Sequence, residues 1–143
     1  MTLKAIPLLV LSLILYNALA FWGGPPEEIF YGRPAFDQAT QTAFTQGAEL
    51  FTVPMPNGGL WRYTLGDLVM TLSIILLALE VIKATYTRGA GLADQALSMG
   101  LFVICLIEFL LVDRASTSLF FFITLFAGFD VVVGSIVGIR TAR

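Results

Sequence analysis

Ser118-Leu119-Phe120-Phe121-Phe122-Ile123-Thr124-Leu125-Phe126-Ala127-Gly128-Phe129-Asp130-Val131-Val132-Val133-Gly134-Ser135-Ile136-Val137-Gly138-Ile139 decides the fold class. As a helix rising ~1.5 Å per residue it is roughly 33 Å long, enough to cross the hydrocarbon core of a bilayer. Asp130 is its single charge and lies near the middle. A carboxylate at that depth is costly, so it is expected to face protein or a wet cavity.

The rest of the chain has the same character. Of its 143 residues, 57% are hydrophobic and only 13% charged, where soluble domains average ~25% charged. Three further stretches read as spans. With Ser118–Ile139 they predict an all-α integral membrane protein, a four-helix transmembrane bundle in one domain with spans over 3–22, 65–83, 94–112 and 118–139. The segment 23–63 lies outside the bilayer, with a short amphipathic outer helix between spans one and two.

The first stretch has two readings. Lys4 followed by the apolar run Ala5–Phe21, with Ala18-Leu19-Ala20 as a small-x-small site, has the form of a signal peptide. As a retained first helix it ends in an aromatic belt of Tyr16, Phe21 and Trp22. Bulky Phe21-Trp22 makes a poor mature terminus and favours the retained helix. Within 23–63, Gly23-Gly24-Pro25-Pro26 breaks the helix and Arg33-Pro34 is able to start another. Phe36, Ala43 and Leu50 recur at heptad spacing, beside Phe44 and Phe51, which predicts the amphipathic helix over Pro34–Phe51. Val53-Pro54-Met55-Pro56-Asn57-Gly58-Gly59 predicts a tight reversal, ending at Leu60-Trp61-Arg62-Tyr63. Trp22, Trp61 and Tyr63 are the expected interface anchors.

Thr64 and Asp67 have capping-box spacing at the start of span two. Glu80 and Lys83, three residues apart, are expected to pair near its inner end. Asp94 is expected to cap span three after Gly89-Ala90-Gly91. Thr64, Asp67, Asp94, Glu80 and Lys83 are therefore read as structural. Asp94, Ser98, Cys105 and Glu108 share one helical stripe, and Glu108 lies about 7–8 Å inside the outer end of its span by the helix rise.

Basic residues fix the expected topology. Lys4, Lys83, Arg88, Arg140 and Arg143 fall on one side, whereas most acids of the soluble segments fall on the other. The positive-inside rule then puts both termini in the cytoplasm, with residues 23–63 outside.

The chain holds no His and one Cys, so intrachain disulfides and the common zinc, haem and Cys–His chemistries lack their ligands. No enzyme, cofactor or metal site is expected, and no Lys/Arg cluster points to nucleic acid. Glu108 and Asp130, with the small-residue pair Gly134 and Gly138 beside Asp130, are the residues expected to dock a partner or relay protons. The partners expected are the lipid bilayer and other membrane subunits or a second copy. Two functions fit. One is an accessory or scaffold subunit packing on other membrane subunits through its helix faces; the other is a small proton- or cation-coupled transporter or channel.

The chain also resembles small bacterial multi-pass membrane proteins. The likeness is carried by Phe51-Thr52-Val53-Pro54, Leu65-Gly66-Asp67, Ile107-Glu108-Phe109-Leu110-Leu111, Ser118 with Phe120–Phe122, Asp130-Val131 and Ile139-Arg140-Thr141-Ala142-Arg143. It covers Phe51 to the end and implies a topology but no activity.

Overall fold

A computed structural model describes residues 6–86 and 92–141. Lys4, Arg88, the Gly89-Ala90-Gly91 turn and Arg143 lie outside the described residues. Three helices are long and apolar enough to cross a membrane, Leu65–Tyr86, Ala93–Leu111 and Ser118–Ile139, consistent with a multi-pass membrane protein. They belong to α3 (Leu65–Tyr86), α4 (Leu92–Leu111) and α5 (Ser118–Thr141). The first helix, α1 (Val10–Trp22), is a shorter apolar helix of 13 residues, roughly 20 Å by the helix rise. Its expected length as a full span is therefore not reached by regular helix, although backbone bonds from Val10 to Pro7 and Leu11 to Leu8 extend a first turn before it.

α5 packs against both α3 and α4, and α1 lies against α3 and the outer turn. The inward side of α5 is Leu119, Phe120, Ile123, Thr124, Ala127, Asp130 and Val131. Leu125, Phe129, Val132, Ile136 and Ile139 are exposed on its other side. Both sides are apolar, because lipid and core make the same demand; only packing distinguishes them. At the hairpin-bearing end of the bundle, labelled outer, Tyr16 stacks on Phe30 at 4.9 Å and meets Phe120 edge-on at 4.8 Å. The α4–α5 turn is a single 3-10 turn, Asp113–Ala115, between the two helices.

The outer segment corrects the sequence reading. Pro34–Phe51 is not a helix. After a short helix α2 (Pro26–Tyr31), the chain forms two antiparallel hairpins, β1 (Arg33–Asp37) with β2 (Thr42–Gln46), and β3 (Glu49–Pro54) with β4 (Leu60–Thr64). The protein is thus mostly helical with two small sheets, and not all-α. Local chemistry explains the failure of the heptad. Asp37 Oδ1 accepts the Ala39 N–H at 2.9 Å and its Oδ2 accepts the Thr40 hydroxyl at 2.8 Å, a turn that competes with helix at the segment's centre. Gln41, Gly47 and Ala48 all have positive φ, which no helix accommodates. The reversal at Val53–Gly59 does form a hairpin, closed by Met55 N–H to Gly59 C=O at 2.8 Å.

The same turn makes a pH prediction. The Thr40 hydroxyl, and then the Ala39 N–H, hold the Asp37 carboxyl below its ordinary range. A depressed folded value means the turn's stabilisation is present above the free value of about 3.9 and is lost as pH falls through the folded value. The Ala39 amide shift followed by NMR is expected to titrate below that free value. A midpoint at or above it contradicts the turn.

Two glycines are required by space. Gly32 ends α2 with φ +86°, and a Cβ there would lie 2.5 Å from the Gly47 carbonyl oxygen. Gly66, in the first turn of α3, carries α2 on its surface: a Cβ would lie 2.8 Å from Tyr31 Cε1 and 3.1 Å from the Phe30 carbonyl oxygen. Gly66→Ala is therefore expected to displace α2 and cost about 2 kcal/mol, read as a lower thermal midpoint in detergent. An unchanged midpoint means α2 does not dock there.

Candidate functional site

The polar groups of the bundle fall into an outer clasp, an inner clasp and one carboxylate between helices. At the outer end Tyr16 donates to the Arg114 carbonyl oxygen at 2.8 Å and shares a 2.7 Å bond with the Thr117 hydroxyl. Arg114 in turn donates to the Ala20 carbonyl oxygen at 2.6 Å and lies 5.8 Å from the Phe21 ring centroid. A guanidinium thus sits on the C-terminal carbonyls of α1, where the helix dipole favours a cation. Tyr16 was expected in an interface belt, but it is fully buried; the following Trp22 is 91% exposed. Arg114 and Thr117 carried no role in the sequence reading. The hint available was a lone basic residue in a short turn followed by hydroxyls, which does not name the helix it caps.

The inner clasp joins α3 to the start of α1. Glu80, only 6% exposed, accepts the Leu8 N–H at 2.7 Å on Oε2 and the Lys83 ammonium at 2.8 Å on Oε1. Lys83 also donates to the Ile6 carbonyl oxygen at 3.3 Å. An anion therefore meets the N-terminal end of α1 as a cation meets its C-terminal end. The pairing of Glu80 with Lys83 has the spacing read from sequence; its hold on α1 came only with the fold.

Asp130 lies on the inward side of α5, 5% exposed. Ser98 on α4 is its side-chain hydrogen-bonding neighbour, and Glu80 and Lys83 of α3 act on it electrostatically. Its Oδ2 is buried without a hydrogen-bond partner among the described residues. Asp130 thus faces polar groups of both neighbouring spanning-length helices. Lower on the same interface, Gln95 donates to the Ser135 hydroxyl at 2.5 Å.

Glu108 does not join this group. It sits half-buried on α4 toward the outer end, near enough to Tyr16 and Cys105 to act on both electrostatically. The fold therefore separates Glu108 from Asp130. Gly134 has no atom within 4 Å of a Cβ built on it, and the same is true of Gly100 on α4, whereas Gly138 faces Gln95 Oε1 at 3.7 Å. Gly134 therefore touches no other helix among the described residues, whereas Gly138 meets α4 at Gln95.

At the head of α3, the Thr64 N–H and hydroxyl donate to Asp67 Oδ2 at 2.9 and 2.8 Å, and the Asp67 N–H returns a 3.3 Å bond to the Thr64 hydroxyl. This is a reciprocal cap. Tyr31, packed above it, has its phenol pushed up, first by burial and then by Asp67 and Glu27. Asp94 lies in the first turn of α4 and not at the expected cap, since the helix begins at Leu92; an acid in that turn still suits the dipole.

Outside the bundle a groove of about 380 Å³ runs between α4 and α5, lined by Met99, Phe102, Leu125, Gly128, Phe129 and Val132. At its floor the Phe102 ring approaches to 3.2 Å of where a Cβ on Gly128 would stand. Among the described residues no group of three or more His, Cys, Asp or Glu side chains is placed to hold a metal. No family model matches this chain, and neither the curated proteins nor the solved structures contain a match to it.

Proposed function

We propose that this protein is an accessory or scaffold subunit of a membrane complex, packing on other membrane subunits through its helix faces. The observation that supports this is the apolar α4–α5 groove, a notch with aromatic walls, a glycine floor and the flexible Met99 at its edge. Close-packed helix contacts in membranes depend on small residues that let a neighbour approach. Ala96 and Gly100 on the adjoining face of α4 extend that surface. In this reading α1 serves as a fourth span, both termini lie in the cytoplasm of a bacterial cell, and the hairpins lie outside.

The test is photo-crosslinking in native membranes from Phe129 and Val132. Both are expected to give adducts with a larger membrane protein, and Val132→Trp is expected to reduce co-purification about tenfold, equivalent to ~1.4 kcal/mol. Val132 is exposed, so the variant's own melting should not move. Adducts with lipid alone from both sites defeat the proposal. A second reading, a small proton- or cation-coupled transporter, is favoured by the buried unpaired oxygen of Asp130. Flux in liposomes that is absent, or unchanged by Asp130→Asn, removes it.

A further inference from the structure

The β3–β4 hairpin is two-faced. Its register pairs Phe51 with Tyr63 and Val53 with Trp61, and paired residues project from the same side of a ladder. Met55, bonded across to Gly59, follows on that side. One face is therefore Phe51, Val53, Met55, Trp61 and Tyr63. The irregularity between Glu49 and Phe51 returns Glu49 to the other face, opposite Thr64, where it holds an ion pair with Arg62 at 3.0 Å beside Thr52. Without that bulge the alternation would put Glu49 among the aromatics.

The apolar face is organised and uncovered. Phe51 stacks on Tyr63 at 4.7 Å, and Trp61 meets Tyr63 edge-on at 5.7 Å. Phe51 and Trp61 are nevertheless half exposed, at 51% and 50%. An isolated two-stranded ribbon is marginal in water, and one that displays its aromatics to water more so.

The direction of this face follows from Tyr63. β4 runs directly into α3, and the Tyr63 hydroxyl reaches down the helix to the Asp67 carbonyl oxygen at 3.3 Å and the Thr71 hydroxyl at 2.7 Å. Thr71 begins an exposed stripe of α3 that continues through Ile74, Ile75 and Ile82. The aromatic face thus continues the exposed side of α3 past its N-terminal end.

We propose that the β3–β4 hairpin is a membrane-interface anchor, its Phe51, Val53 and Trp61 face set into the headgroup–acyl boundary of the bilayer that α3 crosses. Trp and Tyr favour that layer because their rings are apolar bodies with one polar handle. The opposite face, with Glu49, Thr52 and Arg62 and, next to the turn, Pro54 and Leu60, is turned to the headgroup water. Clamped at both the lipid surface and the head of α3, the hairpin holds α2 and the first hairpin over the bundle.

The test uses the full chain in phosphatidylcholine liposomes. Trp22 and Trp61 are the two tryptophans of the sequence, so Trp22→Phe leaves Trp61 as the reporter. Its emission is expected to be blue-shifted and quenched several-fold more by lipids brominated near the headgroup end of the acyl chain than by aqueous iodide. A second pair of variants, Thr52→Cys and Val53→Cys in a Cys105→Ser background, reads adjacent residues on opposite faces. With a polar maleimide present on both sides of the bilayer, Thr52→Cys is expected to label and Val53→Cys to be protected several-fold, and detergent should remove the protection. Iodide quenching without bromolipid quenching overturns the proposal, as does equal labelling of the two cysteines. Protection of Trp61 from both quenchers also overturns it, since a protein surface and not lipid then covers the face.

Discussion

Alanine at Glu80 is expected to lower stability by about 3 kcal/mol and to free the start of α1. The carboxylate holds two donors at once, the Leu8 N–H at 2.7 Å and the Lys83 ammonium at 2.8 Å. Removing it takes from Lys83 its carboxylate partner on the same helix and leaves a helix-terminal N–H without its acceptor. The expected result is a lower thermal midpoint in detergent with faster hydrogen exchange at Leu8, while exchange in the middle of α5 changes little. Glu80→Gln should fall between, because an amide oxygen still accepts from Leu8 but loses the charge opposite Lys83. An unchanged midpoint in Glu80→Ala means that the inner clasp contributes nothing to holding α1.

The second large effect is at Tyr16. Its ring is fully buried between Phe30 and Phe120, so Tyr16→Ala opens a cavity expected to cost about 4 kcal/mol. Tyr16→Phe keeps the ring and loses the bonds to Thr117 and the Arg114 carbonyl, with an expected cost of about 1–2 kcal/mol. The ratio of the two, measured by thermal unfolding in one detergent, separates ring packing from the hydroxyl. Deleting the chain through Ala20 should cost more than either, because Leu9, Ser12 and Ala20 leave the core with Tyr16. If Tyr16→Ala melts like the parent, α1 is not packed on this bundle.

These expectations mark where sequence reasoning held and where it stopped. The spanning segments at α3, α4 and α5 were legible because a bilayer imposes a length and a composition on any helix that crosses it. The hairpin turn at Asn57-Gly58 was legible because glycine and proline act locally. The amphipathic helix over Pro34–Phe51 failed for the complementary reason. Its three heptad positions were weak, and Asp37, Gln41, Gly47 and Ala48 redirected the backbone through turn geometry that a hydrophobic period does not register.

The sites divide in the same way. Thr64 with Asp67, across the start of α3, and Glu80 with Lys83, within it, are each three residues apart in sequence, so spacing alone identified both pairs. Arg114 with Ala20, Tyr16 with Thr117, and Glu80 with Leu8 are separated by 72 to 101 residues, and no local pattern announces them.

Taken alone, the sequence determined a chain rich in membrane-length apolar helices, an acid within the last of them and a polar segment ahead of the first long one. Hydrophobicity and helix rise suffice for that. Tertiary structure decided that Asp130 turns toward Ser98 and the Glu80–Lys83 pair, that Glu108 stands apart, and that the aromatic face of one hairpin continues the exposed side of α3. In a membrane the inward and outward sides of a helix are equally apolar, so which side meets protein is settled by shape and by hydrogen bonds between distant residues.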